Sequence, residues 1–448
     1  MATFAKSNIP RFALEVRQNR YLPDGGRDVH AVVSLTSTGG GTSGGAPLTV
    51  TGPGDPTAGG SAAVVLMVDC SRSMDYPPAK LRNARAATAA ALDTLRDGDS
   101  FAVVAGTHRA AEVFPGGGGL AVAGPATRAA AKRALEGLTA RGGTAIGGWL
   151  RLADRLLRTA DAPVRHGILL TDGRNEHEEP AALRAALADC AGRFTCDARG
   201  VGTDWEVAEV TEIASALLGT ADIVADPDRL TADFTALMSA AVGKGVADVA
   251  LRLWLPEGAH VVFVRQVAPT VRDLTGRAVA SGPRTLDYPT GSWGDESRDV
   301  HLCVRVPAAA PGSEMLAARV SLERPAPGGG ETLAQGLVRA VWTDDVTVST
   351  ALDPAVAHYT GQAELARAIQ RGLDMRKSGD EVGAVAELGR AVALAHSSGN
   401  ADTAALLSKV VDVVDAVAGT VRLRTQVAEA DEMTLETRST KTVRVTRK

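Results

Sequence analysis

Between residues 61 and 243 the chain alternates short apolar runs with longer Ala-rich amphipathic stretches, and this alternation limits the fold more than any other feature. Short apolar runs bounded by turn residues indicate buried strands, whereas apolar residues spaced three and four apart indicate helices. The predicted strands are 62–68, 101–105, 167–170, 195–201 and 223–225. The predicted helices are 80–95, 126–138, 146–157, 181–188, 207–217 and 230–241. Repeated strand and helix units predict an α/β fold, a doubly wound and mostly parallel sheet with helices on both faces.

Side chains with hard oxygen atoms follow the ends of these predicted strands. Asp69, Ser71 and Ser73 end the first apolar run, Thr144 follows a glycine pair, and Asp172 ends another apolar run. Ligands bind beyond the carboxyl ends of the strands in such sheets, and Mg²⁺ takes a shell of six oxygen ligands. The five side chains are therefore predicted to form one site for Mg²⁺ or Mn²⁺. Strand-like alternation is expected to send the first three to one side of the chain.

Each of these residues also has an ordinary structural interpretation. Asp69 and Ser71 could cap a turn or helix, and Thr144 could cap the helix that begins at 146. Asp172 could be a turn residue before Gly173. The order and placement of all five together favour the metal site.

Three motifs of this segment stand in a fixed order: Asp-x-Ser-x-Ser-Met at 69–74, Gly-Gly-Thr at 142–144 and Leu-Leu-Thr-Asp-Gly at 169–173. Together they resemble the metal-ion-dependent adhesion site of the von Willebrand factor A family, over roughly residues 60 to 243. The resemblance implies a Rossmann-like sheet, with hydroxyls of Ser71, Ser73 and Thr144 on the ion. It also implies that Asp69 and Asp172 hold the ion directly or through water, and that a partner's acidic group fills the remaining position.

Four further residues are candidate partner contacts: Arg72, Gly143, His177 and Trp205. Arg72 stands where the family often has glycine, and it could face solvent, contact an acidic partner or pair with Asp75. His177 belongs to an acid-rich run that could equally be the solvated start of a helix. Trp205 could equally anchor a helix start.

These features predict a non-catalytic, metal-dependent interaction module that binds an acidic group of a protein partner, with a role in regulation or assembly. No nucleophile is paired with a base in the sequence. One alternative is a Mg²⁺-dependent phosphoryl-transfer hydrolase using Asp69, although enzymes of the haloacid dehalogenase type usually have a second aspartate where this chain has Ser71. Another alternative is a scaffold whose ion is purely structural.

The charge balance and apolar runs narrow the classes of partner. The chain has 448 residues, with 48 basic and 52 acidic side chains and a net charge of −4, which argues against nucleic-acid binding. No run approaches the roughly 18 apolar residues of a membrane helix, and residues 1–10 lack the features of a signal peptide. The four cysteines are scattered. We therefore expect a cytoplasmic protein, of bacterial type by the resemblance, without a membrane partner; its oligomeric state is left open.

Outside the α/β segment the chain changes pattern. Residues 1–36 and 245–350 alternate with period two and predict an antiparallel β-sandwich, into which the α/β segment is inserted if the two amino-terminal strands return to complete it. Residues 37–60 are predicted as a Gly/Ser/Thr-rich linker and 61–243 as the von Willebrand factor A domain. Residues 355–420 predict a helical, hairpin-like domain with helices at 362–376, 381–397 and 401–417. Residues 421–448 predict one or two edge strands or a loose basic tail.

Overall fold

The computed structural model describes residues 11–38, 62–324, 330–442 and 444. Within these residues the chain forms two compact units. We call the first, residues 62–247 and 291–295, the α/β unit, and the second, residues 11–38, 248–290 and the described part of 296–448, the β/helical unit. The predicted linker lies outside the described residues except for 37–38, which end a strand.

The elements are numbered in chain order. The strands are β1 Arg11–Gln18, β2 Tyr21–Leu22, β3 Asp28–Thr38, β4 Ala62–Asp69, β5 Ser100–Gly106, β6 Ala110–Phe114, β7 Ala121–Val122, β8 Val164–Thr171, β9 Thr195–Val201, β10 Leu218–Val224, β11 Val246–Trp254, β12 His260–Ala268, β13 Arg272–Asp273, β14 Val279–Gly282, β15 Thr285–Trp293, β16 Glu296–Arg305, β17 Glu314–Arg324, β18 Glu331–Trp342, β19 Val411–Asp415 and β20 Thr420–Leu423. The helices are α1 Ala79–Asp93, α2 Pro125–Glu136, α3 Ile146–Leu157, α4 Pro180–Cys190, α5 Val207–Ala216, α6 Leu230–Val242, α7 Val346–Thr350, α8 Pro354–Lys377, α9 Glu381–Ser397, α10 Ala401–Val410 and α11 Glu429–Arg438.

The sheet of the α/β unit has the order β10-β9-β8-β4-β5-β6, with β7 also paired to β5. Strands β10, β9, β8, β4 and β5 run parallel, and β6 and β7 join β5 antiparallel. This confirms the predicted mostly parallel sheet. Strand β4 is central and buried along its whole length, and its Val68 pairs in register with Leu170 of β8. Asp69 and Asp172 therefore lie side by side at the carboxyl ends of the adjacent strands β4 and β8.

Helices cover both faces of this sheet. Alternate residues of β4, such as Val64 and Leu66, pack in one hydrophobic cluster with Leu92 of α1, Leu135 of α2 and Phe234 of α6. Helix α3 contacts β4 outside that cluster. Each fully buried Val or Leu contributes about 1.5–3 kcal/mol to the free energy of unfolding. The burial of β4 therefore holds in place its carboxyl end, where the predicted site lies.

The remaining long strands form two antiparallel sheets, in the orders β1-β3-β16-β12-β13 and β14-β15-β11-β17-β18-β2. Strand β3 pairs with β16 from Asp28, opposite Arg305, to Ser37, opposite Glu296. The amino-terminal strands thus return to the later ones, as predicted. Gly336 of β18 lies against side chains of β1, so the two sheets pack face to face as a sandwich.

The carboxyl-terminal region is helical, but it contains one β-hairpin that the sequence did not predict. The predicted helix 401–417 is wrong after Val410, because Val411–Asp415 pairs with Thr420–Leu423 in a hairpin. A run rich in β-branched valine favours a strand, and Gly419 supplies the positive φ of the turn. Helix α11 then occupies part of the segment predicted as strands or tail. No helix in the described ranges has the length and hydropathy needed to cross a membrane.

Candidate metal centre

Asp69 is the last residue of β4, and its carboxylate is fixed on both oxygens. The backbone N–H of Ser71 donates to Asp69 Oδ1 at 2.8 Å, and the Thr171 hydroxyl donates to Asp69 Oδ2 at 2.7 Å. The expected strand-like alternation does not continue, since Arg72–Asp75 forms a 3₁₀ turn. The turn, rather than an extended chain, sets the directions of the two serine side chains.

The three predicted hydroxyl donors converge beside Gly173. The Oγ atoms of Ser71 and Ser73 are 2.9 Å apart, and Ser73 donates to Asp172 Oδ1 at 2.7 Å. A Cβ atom placed on Gly173 would lie 3.1 Å from Ser73 Oγ, 3.3 Å from Thr144 Oγ1 and 3.8 Å from Ser71 Oγ. The three hydroxyl oxygens thus lie within 4 Å of one point, and the glycine leaves that space free.

Backbone hydrogen bonds join the Thr144 loop to the first motif. Arg141 N donates to the carbonyl of Cys70 at 2.7 Å, and Arg72 N donates to the carbonyl of Gly142 at 3.1 Å. These two bonds bring the loop against the end of β4. They explain how Thr144, about seventy residues away along the chain, reaches the serines.

The glycine pair of this loop lies beneath two exposed histidines. A Cβ at Gly142, whose φ is +71°, would lie 2.4 Å from His108 Nδ1, and one at Gly143 would lie 2.0 Å from His177 Nδ1. His177 also donates its backbone N–H to the carbonyl of Thr144 at 3.0 Å. Two of the predicted partner contacts, Gly143 and His177, therefore lie at the rim of the hydroxyl cluster.

The first turn of α3 is capped from a distant loop. Asn175 Oδ1 accepts from Ile146 N, and Glu178 Oε2 accepts from Gly147 N, both at 2.8 Å. Thr144 makes no side-chain cap to α3, so its hydroxyl is free of the structural role considered for it. The sequence analysis did not identify Asn175 and Glu178 as caps of α3. The acid-rich run after Asp172 was a signal for them, because carboxylates stabilise the amino-terminal end of a helix.

Lys80 was not predicted and proves central to the charge balance. Its Nζ donates to Asp172 Oδ2 and to Asp204 Oδ2, each at 2.8 Å, and its side chain is buried. A lysine in the first turn of a helix opposes the helix dipole and calls for carboxylate partners, which is the signal that could have found it.

The electrostatics of the cluster suit a divalent cation. Burial, followed by the charge of Asp172, raises the pKa of Asp69 to about 6. The carboxylates of Asp69, Asp172 and Asp204 together with one ammonium, that of Lys80, carry a net charge of −2. Within the described ranges no three His, Cys, Asp or Glu side chains form a metal-holding group, so the donor set depends on hydroxyl oxygens. Hard oxygen donors around uncompensated negative charge fit Mg²⁺ or Mn²⁺.

Two other predicted partner contacts differ in exposure. Arg72 is exposed and has no acidic group within 4 Å among the described residues, so the considered pair with Asp75 is not formed. The Trp205 ring is 2% exposed, packs on Gly200 and donates to the carbonyl of Gly202 at 3.0 Å. Trp205 is therefore buried against the end of β9 and offers almost no surface to a partner.

Comparisons with known proteins agree with this architecture. A model of the von Willebrand factor type A domain matches residues 62–223, and a model of the von Willebrand factor type A C-terminal domain matches residues 393–439. The structure of a von Willebrand factor type A protein from Catenulispora acidiphila is 48% identical, with 99% of each chain covered and a TM-score of 0.91.

Two more distant relatives support the fold or part of the chain only. The ArnB paralog VWA2 from Sulfolobus acidocaldarius is 13% identical over 96% of this chain and 98% of its own, with a TM-score of 0.58, and shares the fold. An uncharacterised protein from Synechocystis is 30% identical over 218 residues, 47% of this chain. The chain covers 49% of that curated relative, about half its length.

Domains of the matched type are generally interaction modules rather than enzymes. The near-complete coverage at 48% identity, together with both family-model matches, leads to one assignment: this chain belongs to the von Willebrand factor type A family.

Proposed function

We propose that the α/β unit binds Mg²⁺, or Mn²⁺, and uses the bound ion to hold an acidic group of a protein partner. The supporting observation is that hydroxyls of Ser71, Ser73 and Thr144 lie within 4 Å of one point beside Gly173. The carboxylates of Asp69 and Asp172 flank that cluster. The role of the protein is then regulation or assembly through a metal-bridged contact.

The fold would hold these donors in place before any ion arrives. Asp69 is oriented by Ser71 N and the Thr171 hydroxyl, while Asp172 is oriented by Ser73 and Lys80. When bound, the ion supplies a positive charge that attracts an external carboxylate. Neutral hydroxyl ligands leave more of that charge uncompensated than carboxylate ligands do.

A phosphoryl-transfer enzyme is less well supported. A nucleophilic aspartate needs a free oxygen facing its substrate, but Asp69 is fully buried and both of its oxygens accept hydrogen bonds. Ser71 also stands at the position where such enzymes usually have a second aspartate. We therefore propose a binding role without turnover.

The test compares Thr144→Val, which removes the hydroxyl at nearly constant volume, with Thr144→Ser, which retains it. Mg²⁺ binding is measured by titration calorimetry, and partner capture from native lysate is measured with Mg²⁺ and with EDTA. We expect Thr144→Val and EDTA to abolish capture, and Thr144→Ser to keep most of it.

Capture that is equal in every arm would contradict the metal bridge. A lower melting temperature in EDTA with unchanged capture would identify a structural ion. Hydrolysis of p-nitrophenyl phosphate by the purified protein, lost in Asp69→Asn, would establish the enzyme instead.

A further inference from the structure

A groove of about 590 Å³ lies next to the candidate metal centre. One wall is β6 with the residues before it, and the other is the end of α2 with the segment up to Arg141. Strand β6 is the last strand of its sheet, so one edge of its backbone is not paired within the sheet. We call this feature the β6 groove.

The groove is continuous with the loops that carry the proposed metal ligands. Cys70, which lines it, stands between Asp69 and Ser71. Arg141, at its end, directly precedes the glycine pair and Thr144. A chain segment that placed a carboxylate at the centre would therefore pass into the groove within a few residues.

The groove has an excess of positive charge. Arg109 and Arg141 line it and are exposed, and half-buried Arg85 donates to the carbonyl of Leu138, another lining residue. Throughout the described part of the chain, none of these three guanidinium groups has an acidic group within 4 Å. The buried Nε of Arg85 also lacks a hydrogen-bond partner there.

One carboxylate lines the same groove, and it is already engaged. The two oxygens of Glu112 accept from Gly116 N and Gly118 N, each at 2.8 Å. These bonds hold Glu112 to its own loop, and among the described residues it forms no ion pair with the arginines of the groove. An incoming anion would supply them with a counter-charge.

The remaining lining suits a polypeptide. Val113, Leu138 and Ala134 contribute apolar surface between the cations, and the volume is that of a pocket for a few side chains. A nucleic acid would need a broader field of positive charge than a chain of net charge −4 provides. A groove with walls formed by a strand and a helix end, lined by two exposed arginines, instead matches an extended acidic peptide.

We propose that the β6 groove binds an extended acidic segment of the same partner whose carboxylate reaches the metal centre. This inference rests on the proposed function for the path of the segment. The groove supplies affinity of its own through Arg109 and Arg141, and the metal centre fixes the register. The segment's binding is therefore sensitive to salt as well as to metal.

The probe is a fluorescein-labelled decapeptide of alternating Glu and Ala, measured by fluorescence anisotropy with the full chain in Mg²⁺. We expect saturable binding that Arg109→Glu/Arg141→Glu weakens at least about tenfold, because attraction becomes repulsion at the groove. Mg²⁺ affinity by calorimetry should not fall in this variant, because the added negative charge near the centre attracts the cation. The matched control is Arg155→Glu/Arg184→Glu, the same charge change at exposed sites outside the lining, and should bind the peptide like the wild type.

The two proposals fail in different ways. Equal peptide affinity in the groove variant and the control would overturn the groove, even if Asp69→Ala abolishes binding. Loss in the groove variant with no effect of Asp69→Ala or EDTA would support the groove and overturn the metal bridge. Tighter binding of a labelled ten-residue oligothymidylate than of the peptide would overturn the acidic peptide as occupant. Thermal melting of Arg109→Gln/Arg141→Gln, which must bind more weakly while melting like the wild type, excludes misfolding as the cause.

Discussion

The two carboxylate oxygens of Asp172 accept hydrogen bonds from different donors. The ammonium of Lys80 takes Oδ2, which leaves Oδ1 to the hydroxyl of Ser73. Lys80 also reaches Asp204, whose side chain is largely exposed. At the scale of single residues, the candidate centre is therefore a cluster with net negative charge in which one cation, Lys80, is built into the fold.

Replacing Lys80 tests whether this cation stabilises the buried carboxylate of Asp172. Lys80→Met should lower the free energy of unfolding without metal by about 3 kcal/mol, because it leaves the buried Asp172 without its cation. Mg²⁺ should recover part of that loss. Urea denaturation with and without Mg²⁺ measures both effects. Lys132→Met, which breaks an exposed pair with Asp93, is the control and should cost under about 1 kcal/mol. A Lys80 variant as stable as the control would show that the Lys80 ammonium does not stabilise the fold by this amount.

His301 gives the β/helical unit a defined response to acid. Burial, then the neighbouring His30 and Arg265, lower the pKa of His301 to about 3. Below an unfolded-state pKa of about 6.5 the unfolded chain takes up a proton that the folded chain refuses until about pH 3. This residue should therefore reduce the free energy of unfolding by up to about 1.4 kcal/mol per pH unit as the pH falls through that window.

The slope of that loss is the readout. His301→Gln should make the fall in stability between pH 6 and pH 4 shallower, as followed by urea denaturation at each pH. His260→Gln, at an exposed position of β12, should leave the slope as in the wild type. Parallel slopes in wild type and His301→Gln would contradict the assignment.

At the scale of elements, strongly periodic segments could be predicted and weakly patterned ones could not. The bounds of α3, β9 and α9 agree with the prediction, since each has a clear apolar face or run. Strand β6 was missed because Ala110–Phe114 is half-exposed and carries no alternation. Helix α11 was missed because its sequence is mostly polar, and Met433 and Leu435 are buried only by packing of the folded chain.

The candidate site shows the same limit. The five oxygen-bearing residues could be chosen from strand ends and motif order, whereas Lys80, Asn175 and Glu178 depend on contacts between distant loops. The 3₁₀ turn at Arg72–Asp75 was also beyond a pattern that reads only alternation. Residue spacing predicts which element carries a side chain, whereas contacts in the folded chain decide what that side chain binds.

The hairpin of β19 and β20 depends on a close approach of two glycines. A Cβ on Gly419, whose φ is +69°, would lie 2.4 Å from the carbonyl oxygen of Gly389 in α9. Gly419→Ala should therefore lower the free energy of unfolding by about 2 kcal/mol or more. Gly399→Ala is the matched control, because its φ is +66° but open space surrounds it, and should cost about 1 kcal/mol. Equal melting temperatures of the two variants would remove the steric contribution.

At the scale of the whole molecule, two compact units with separate hydrophobic clusters share one chain. The return of β3 to β16 was expected from the period-two pattern at both ends of the α/β segment. The order of strands within each sheet was not, because the sequence pattern carries no information on which strands become neighbours. Family membership extends over nearly the full length, including the carboxyl-terminal region matched at 393–439.

Metal binding should accordingly act on one unit alone. With Mg²⁺ at about a hundred times its dissociation constant, the α/β unit should gain about 2.7 kcal/mol. Hydrogen exchange should then slow in the segments 70–74, 142–145 and 172–175, while β3 and β16 exchange at unchanged rates. Asp69→Asn should abolish the protection. Protection spread evenly over both units, or none in the three segments, would contradict a local site.

Anomalous diffraction from crystals grown with Mn²⁺ can show whether oxygen donors from three distant segments hold one divalent cation. We expect a single strong anomalous peak beside Gly173, within about 2.5 Å of the hydroxyl oxygens of Ser71, Ser73 and Thr144. A peak bound elsewhere, or none at millimolar Mn²⁺ with these side chains ordered, would contradict this expectation.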